Sequence, residues 1–83
     1  MEKIVKVIVL PNYLLISEIV EIGSEVGEPD CKLINPYEIK STSLTPWLSK
    51  HTDNDIFMIS SDKILTMTDP KPSLLEKYEE KTN

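Results

Sequence analysis

The sequence predicts a mainly β domain of five antiparallel strands followed by a short C-terminal helix. Short apolar runs, rich in β-branched residues, alternate with turn-forming residues as far as residue 69, which is typical of strands joined by loops. Beyond Pro72 the apolar residues change to helical spacing, which indicates one helix. The 83 residues are expected to form one domain over residues 1–83, with a bent sheet over residues 3–69 and the helix and tail over residues 70–83.

The first two predicted strands, residues 3–10 and 14–22, form a hairpin. The run KIVKVIVL is strongly strand-forming, and Pro11-Asn12-Tyr13 interrupts it because proline and asparagine favour turns. The run LLISEIVEI is apolar on parts of both faces. This pattern is expected where a sheet bends strongly and the two ends of one strand face different cores.

The middle of the chain predicts one strand between two loops. Residues 23–30 hold both glycines and a proline, so they are expected to form a loop. The third strand covers residues 31–39, and Asn35-Pro36 is expected to break or bend it. The polar residues 40–55 are interpreted as a long loop that holds Trp47 against the domain. One helical turn is expected within this loop, starting at Pro46.

Residues 56–67 predict the last two strands, IFMI and ILTM, joined by the tight polar turn Ser60-Ser61-Asp62-Lys63. Strands near the end of a small β domain often supply open sheet edges, which must be covered, charged or paired with another chain. Cys31 and His51 are the only cysteine and histidine, so neither an internal disulfide nor a zinc site is expected to enlarge the core. We therefore expect these edges to pair with a second copy of the chain.

The C-terminal segment predicts a helix over residues 73–81. Ser73 and Glu76 match a capping box, in which each side chain accepts a hydrogen bond from a free backbone N–H. Leu74, Leu75 and Tyr78 fall on one face at helical spacing. Because so short a helix is unstable alone in water, it is expected to dock this face on the sheet or on a neighbour.

Charge and composition exclude several classes of function. The net charge is −5, with nine lysines and no arginine, which argues against general phosphate binding. Five carboxylates lie in the segment 18–30 without a lysine among them, and they form either a solvated loop or a surface that repels nucleic acid and attracts a basic partner. No catalytic motif, cofactor motif, signal peptide or membrane span is present, so we expect a cytoplasmic protein that is not an enzyme.

Four segments, VKVIVL, LLISEIVEI, LINPYEI and FMISSDKILTM, follow one another over residues 3–69. Their order resembles the Sm and Sm-like (LSm) family, and the whole chain looks like the small Sm-like proteins of marine cyanophage origin. Asn35 stands at the asparagine of the first family motif, whereas Ser17 stands where that motif has a glycine. Ser60 and Ser61 stand at the positions where the second motif has arginine and glycine. The resemblance implies an Sm-like fold, a strongly bent five-stranded open barrel.

The resemblance also implies a ring of about five to seven copies, five favoured, in which the fourth strand of one copy pairs with the fifth of the next. Such rings bind single-stranded RNA on the inner rim. The family's binding positions correspond to Leu33, Asn35 and Ser60, of which only the asparagine is retained. Tyr37 could replace the missing base stack, and Lys63 could contact a phosphate. The candidate nucleic-acid-binding residues are Asn35, Tyr37, Ser60, Ser61, Asp62 and Lys63.

Two functions therefore stay open at this point. The first is a non-catalytic ring that binds RNA or single-stranded DNA and assists nucleic-acid processing, in the host cytoplasm if a phage encodes it. The alternative is an acidic adaptor or inhibitor ring that acts on a host or phage protein. A structural part of a virion is a third hypothesis.

Overall fold

The computed structural model describes residues 3–23, 25–41 and 43–83. Met1, Glu2, Ser24 and Thr42, which belong to the predicted domain, lie outside the described residues. The elements, in chain order, are β1 (Val5–Val9), β2 (Leu14–Glu21), β3 (Cys31–Lys40), β4 (Ser43–Pro46), β5 (Ile56–Ile59), a 3-10 turn (Ser61–Lys63), β6 (Thr66–Thr68) and α1 (Pro72–Thr82). The prediction of a mainly β chain with one C-terminal helix is confirmed.

The strands form one antiparallel sheet in the order β4-β3-β2-β1-β6, with β5 also paired to β3, and the sheet does not close. The predicted hairpin of β1 and β2 is confirmed by their antiparallel register from Val5 opposite Glu18 to Val9 opposite Leu14. The predicted number of five strands is wrong, because β4 forms inside the segment that was interpreted as a loop. Its sequence, SLTP, has little strand preference, and its partner is the second half of β3.

The last two strands are present, and each pairs with a distant strand. β5 pairs with the first half of β3, and β6 pairs with β1, so β5 and β6 do not pair with each other in the described part of the chain. The predicted polar turn between them is the 3-10 turn. The second predicted strand of this pair begins later than expected, at Thr66, because Ile64 and Leu65 still belong to the connection.

The sheet bends where Asn35-Pro36 lies opposite the single residue Ser17, at a register shift between β2 and β3. Pro36 has no N–H, and Asn35 has a φ of 53°, so the ladder between the two strands is interrupted there. Side chains occupy the gap. The Ser17 hydroxyl, which is fully buried, lies 3.1 Å from the Ile34 carbonyl oxygen. The Tyr78 hydroxyl accepts a hydrogen bond from the Glu18 N–H at 3.1 Å.

The bend divides the core into two clusters on opposite faces of the sheet. The first contains Ile8, Leu10, Leu15, Ile19, Cys31 and Leu33, and the second contains Ile16, Leu44 and Tyr78. β2 therefore contributes to both cores, as its apolar pattern predicted. Trp47 packs against the first cluster, which confirms that it is held against the domain, although residues 47–51 form turns and not the predicted helical turn. The buried Trp47 Nε1–H has no acceptor among the described residues, so ring packing holds this side chain.

Helix α1 covers the second cluster. Tyr78 is buried, and its ring meets the Tyr37 ring edge-on at 5.8 Å between centroids. The predicted docking of the helix on the sheet is confirmed. The predicted capping box is wrong, because Lys71 is the N-cap residue, with no side-chain cap, and Pro72 begins the helix. Proline favours this first helical position because its fixed φ suits a helix and its missing N–H is not needed there.

Candidate functional site

The six candidate residues from the sequence lie in two separate places. Asn35 and Tyr37 belong to β3, near the bend and under α1, whereas residues 60–63 form the connection between β5 and β6. The two groups line different depressions: one is formed with the loop that contains Trp47, and the other is formed with the β2–β3 loop. The candidate residues therefore do not form one site within a single copy of the chain.

Asn35 and Tyr37 take part in the fold. The Asn35 N–H donates to the Asp55 carbonyl at 2.7 Å, and its own carbonyl lies 3.0 Å from the Tyr78 hydroxyl. Tyr37 is half-buried beside Tyr78, and its hydroxyl reaches the Lys81 carbonyl at 3.4 Å. A base that stacked on Tyr37 would therefore compete with the contact between β3 and α1.

The connection between β5 and β6 is tied to the β2–β3 loop by one carboxylate. Asp30 accepts hydrogen bonds from the Ser61 N–H at 2.7 Å and from the Ser61 hydroxyl at 2.6 Å, using both carboxylate oxygens. The hydroxyl bond is the largest cause of the lowered pKa of Asp30, and the backbone N–H adds to it. The sequence predicted Ser61 and missed Asp30 as its partner, because contacts between two loops leave no periodic signal.

The surface around this contact, which we call the loop surface, is predominantly negative. It is a depression formed by the β2–β3 loop and the 3-10 turn, and its charged residues are Glu25, Glu28, Asp30, Asp62 and Lys63. Four carboxylates against one ammonium group repel a phosphate backbone, whose binding depends on dense positive charge. The loop surface is therefore poorly suited to the phosphate contacts of nucleic acid.

The free edges of β5 and β6 carry apolar side chains that water reaches. β5 pairs only with β3 and β6 only with β1 among the described residues, so each has one unpaired edge. Ile56 and Met58 on β5 are 50% and 51% exposed, and Leu65 and Met67 at β6 are 67% and 43% exposed. Exposed apolar edges of this kind favour pairing with another strand.

The edge of β4 provides the contrast. β4 is also at the end of the sheet, but its one large apolar side chain, Leu44, is buried, and its exposed residues are Ser43, Thr45 and Pro46. A short polar strand that ends in proline is a common means of blocking edge-to-edge association. Among the described edge strands, exposed large apolar side chains therefore lie at the two edges that flank the 3-10 turn.

The remaining reactive groups do not form a metal site in the part of the chain that the structure describes. No three His, Cys, Asp or Glu side chains are grouped closely enough there to hold a metal ion. Cys31 is buried, and burial is the main cause of its raised pKa, which lowers the fraction of reactive thiolate. His51 lies exposed in the turn after β4. None of the described helices has the length and apolar character that crossing a membrane requires.

Residues 3–83 match the model of a family of unknown function, DUF6561. A comparison with curated proteins finds no match.

Proposed function

This chain belongs to DUF6561, and we propose that it is a non-catalytic Sm-like protein that assembles into a ring, β5 of one copy pairing with β6 of the next. The observation that carries the proposal is the pair of unpaired, apolar edges at β5 and β6. These are the last two strands of the chain, and the resemblance to Sm-like proteins assigns ring assembly to the last two strands. The edge of β4 supports the same assignment, because it exposes Ser43, Thr45 and Pro46 and buries Leu44, which leaves β5 and β6 as the apolar edges among the described residues.

The energetics of the edges are consistent with association. Fully burying a side chain such as Ile, Leu or Met contributes about 1.5–3 kcal/mol, so burying the exposed half of four of them contributes roughly 3–6 kcal/mol. Association costs about 4 kcal/mol or more in lost translational and rotational freedom. The apolar side chains therefore offset the lower range of this cost, and each new backbone hydrogen bond between β5 and β6 adds about 0.5–1.5 kcal/mol.

The oligomeric state of the purified chain tests the proposal. We expect sedimentation or light scattering to give a multiple of the 9.5 kDa chain mass. A charged variant at both edges, Met58→Lys with Met67→Lys, is expected to give a folded monomer. Leu14→Lys is the matched control, since Leu14 is also 40% exposed but lies on β2, which has a strand on each side. A wild-type chain that stays monomeric at about 1 mM, where even weak specific association is populated, contradicts the proposal.

Nucleic-acid binding is the second candidate function, and exposed Ser61, Asp62 and Lys63 support it, because the 3-10 turn flanks both edges and would be repeated at every contact between copies. The acidic loop surface limits its strength. We expect binding of a single-stranded oligonucleotide at about 50 mM salt that falls steeply by about 200 mM. Lys63→Glu should abolish it, whereas Lys50→Glu, in the turn after β4, should not.

The acidic adaptor remains the competing interpretation, and the same assay separates the two. A lysine-rich peptide of the same length replaces the oligonucleotide. Binding of the peptide but not of RNA or DNA, with the oligomer intact, would favour the adaptor and remove nucleic acid from the proposal. We propose a cytoplasmic location for either function, because an unpaired cysteine stays reduced there.

A further inference from the structure

We infer that the depression beside Trp47 binds the guanidinium group of an arginine side chain from another protein. This depression, which we call the Trp47 pocket, has a volume of about 310 Å³. It lies between the turn that contains Trp47 and the segment that leads into β5. It shares no lining residue with the loop surface, and its lining comes from one copy of the chain, so the inference does not depend on ring assembly.

Backbone hydrogen bonds attach both sides of the Trp47 pocket to the bend of β3. On one side, the Trp47 N–H donates to the Pro36 carbonyl at 2.9 Å. On the other side, the Asn35 N–H donates to the Asp55 carbonyl at 2.7 Å. The adjacent residues Asn35 and Pro36 thus hold the two loop segments next to each other. The pocket is therefore largely formed before a ligand arrives, as is usual for small-ligand sites.

Part of the pocket lining is aromatic. Trp47 and Phe57 both line it, and their rings lie 5.1 Å apart between centroids with a tilt of 48°. Both residues are only partly buried, and Pro36 and Pro46 complete the apolar lining. The face of an aromatic ring carries negative potential and attracts organic cations, and tryptophan does so most strongly. The aromatic lining therefore suits a cation that can stack on a ring.

The charged residues that line the pocket are two aspartates, Asp53 and Asp55, and no lysine lines it. Both residues are exposed, and neither carboxylate forms an ion pair within the described residues. Lys50 and His51 belong to the same connection between β4 and β5, but they do not line the pocket. The local charge therefore favours a cation and opposes a phosphate or carboxylate ligand.

The indole N–H of Trp47 is an independent indication of a ligand. Its nitrogen is buried and has no hydrogen-bond acceptor among the described residues. Buried donors are nearly always paired, so an unpaired donor on a residue that lines a pocket indicates an acceptor from outside the chain. A peptide that presents an arginine also presents backbone carbonyl groups, which are such acceptors. Because water does not reach the N–H in the free chain, the ring has to turn when the peptide binds.

Arginine fits this combination of groups better than lysine does. The guanidinium group is planar, so it stacks on aromatic rings, and its donors pair with carboxylates in a fixed geometry. The ammonium group of lysine is compact and strongly hydrated, so it gains less from an aromatic lining. The 83 residues contain no arginine, so a second copy of them cannot supply the ligand.

Tryptophan fluorescence tests the inference at the pocket itself, because Trp47 is the single tryptophan of the chain. Titration with N-acetyl-arginine amide is expected to give a saturable change in emission. The dissociation constant should be on the order of 1 mM, as expected for so small a ligand. The citrulline derivative, in which a neutral urea replaces the guanidinium group, should bind roughly tenfold more weakly. Sodium chloride at equal ionic strength is the blank.

Variants of the lining residues locate the site. Asp53→Asn with Asp55→Asn keeps the size of both side chains and should weaken binding roughly tenfold. Asp62→Asn, which changes an exposed aspartate of the loop surface, is the matched control and should bind as the wild type does. Phe57→Leu keeps an apolar side chain, removes one ring and should weaken binding severalfold. Circular dichroism checks folding, and the aspartate variants decide the result if Phe57→Leu does not fold.

The inference is overturned if the emission shows no saturable change up to about 10 mM of the arginine probe, tenfold above the expected constant. Equal binding of the citrulline derivative, or of Nα-acetyl-lysine amide, overturns the assignment to arginine. Unchanged binding by the double aspartate variant overturns the pocket as the site. Sedimentation of the same samples reports assembly separately, so a monomeric chain that binds the probe contradicts the ring and leaves this inference in place.

Discussion

Helix α1 covers one side of the sheet, whereas β5 and β6 on the other side each keep one edge without a neighbouring strand in the described chain. On the covered side, Tyr78 is buried and its hydroxyl completes the hydrogen bonds that the bend between β2 and β3 interrupts. On the open side, Ile56, Met58 and Leu65 are each at least half-exposed. The chain therefore covers one side of its sheet with its own C-terminal helix and leaves the strand edges of β5 and β6 without a covering element among the described residues.

The difference shows how a small chain divides its limited apolar surface. A domain of this size buries only about 60% of its unfolded surface, so an element that covers one face cannot also cover the edges. α1 is placed where the interrupted ladder would otherwise leave backbone groups buried without partners, which is the costlier defect. The backbone groups of an exposed edge form hydrogen bonds with water, so the edge costs little in the single chain and stays available to pair with a second copy.

The largest effect on the stability of the single chain is expected on the covered side. Ile16 is fully buried in the second core cluster, so Ile16→Ala should lower the free energy of unfolding by about 2–5 kcal/mol. Met58→Ala, at the open edge, should change it by about 1 kcal/mol or less while weakening assembly. Urea denaturation of each chain at dilutions where it is monomeric measures both. Equal losses for the two variants would remove the distinction between the two sides.

The next effect isolates the hydroxyl of Tyr78. Tyr78→Phe keeps the ring and removes the acceptor of the Glu18 N–H and a donor near the Ile34 and Asn35 carbonyls. Leaving such groups unpaired costs about 1–3 kcal/mol. Tyr37→Phe is the matched control, because its hydroxyl makes one exposed contact of 3.4 Å and its loss should cost about 0.5 kcal/mol or less. Equal effects of both variants, measured by urea denaturation, would contradict the role given to the bend.

Residues with local patterns were predictable from the sequence, and residues that act across the fold were not. The β-branched runs gave β1, β2, β3 and β5, and helical spacing gave α1. β4 was missed because its weak strand preference is overcome by pairing with β3. The capping box at Ser73 failed because Pro72 takes the first helical position.

The candidate site was predictable to a similar extent. The polar turn at residues 60–63 and the apolar runs beside it could be read from the sequence, and the structure places both at the free edges. Asn35 was grouped with them by the family motif and Tyr37 as a substitute base stack beside it, but in the structure Asn35 lies at the bend and Tyr37 packs against Tyr78 of α1. The hydrogen bonds from Ser61 to Asp30 and from Glu18 to Tyr78 join residues that are 31 and 60 positions apart, and no local pattern reports such contacts.

A smaller effect is expected for Ser17, which stands at the bend opposite Asn35-Pro36. Ser17→Ala removes one hydroxyl near the Ile34 carbonyl, and its cost should be about 1 kcal/mol, because Tyr78 can still donate to the same carbonyl. The double variant Ser17→Ala with Tyr78→Phe leaves this carbonyl with neither donor. Its loss of stability should therefore exceed the sum of the single losses, and strict additivity in a double-mutant cycle would show that the two hydroxyls act independently.

The smallest effect is expected at Asp30, on the open side, and it depends on pH. The hydrogen bonds from Ser61 keep the pKa of Asp30 below its ordinary value of 3.8 in the folded chain. A carboxyl group with a lowered pKa stabilises the fold fully above its unfolded pKa, and this contribution is lost as the pH falls through the folded pKa. Asp30→Asn has no such titration. Its stability deficit against the wild type should be constant above about pH 5 and should shrink between about pH 5 and pH 3.

Urea denaturation of both chains across this pH range measures the difference, and subtraction removes the carboxyl groups that they share. Asp53→Asn is the control, because it removes the carboxylate of an exposed aspartate that takes no part in the contact between Asp30 and Ser61. Because Asp30 is only partly buried, salt should reduce the effect. A deficit that grows as the pH falls would mean that the Ser61 contact does not favour the ionised carboxylate. The position of the 3-10 turn, and with it that of the β6 edge, would then be fixed by backbone contacts and not by the Asp30 carboxylate.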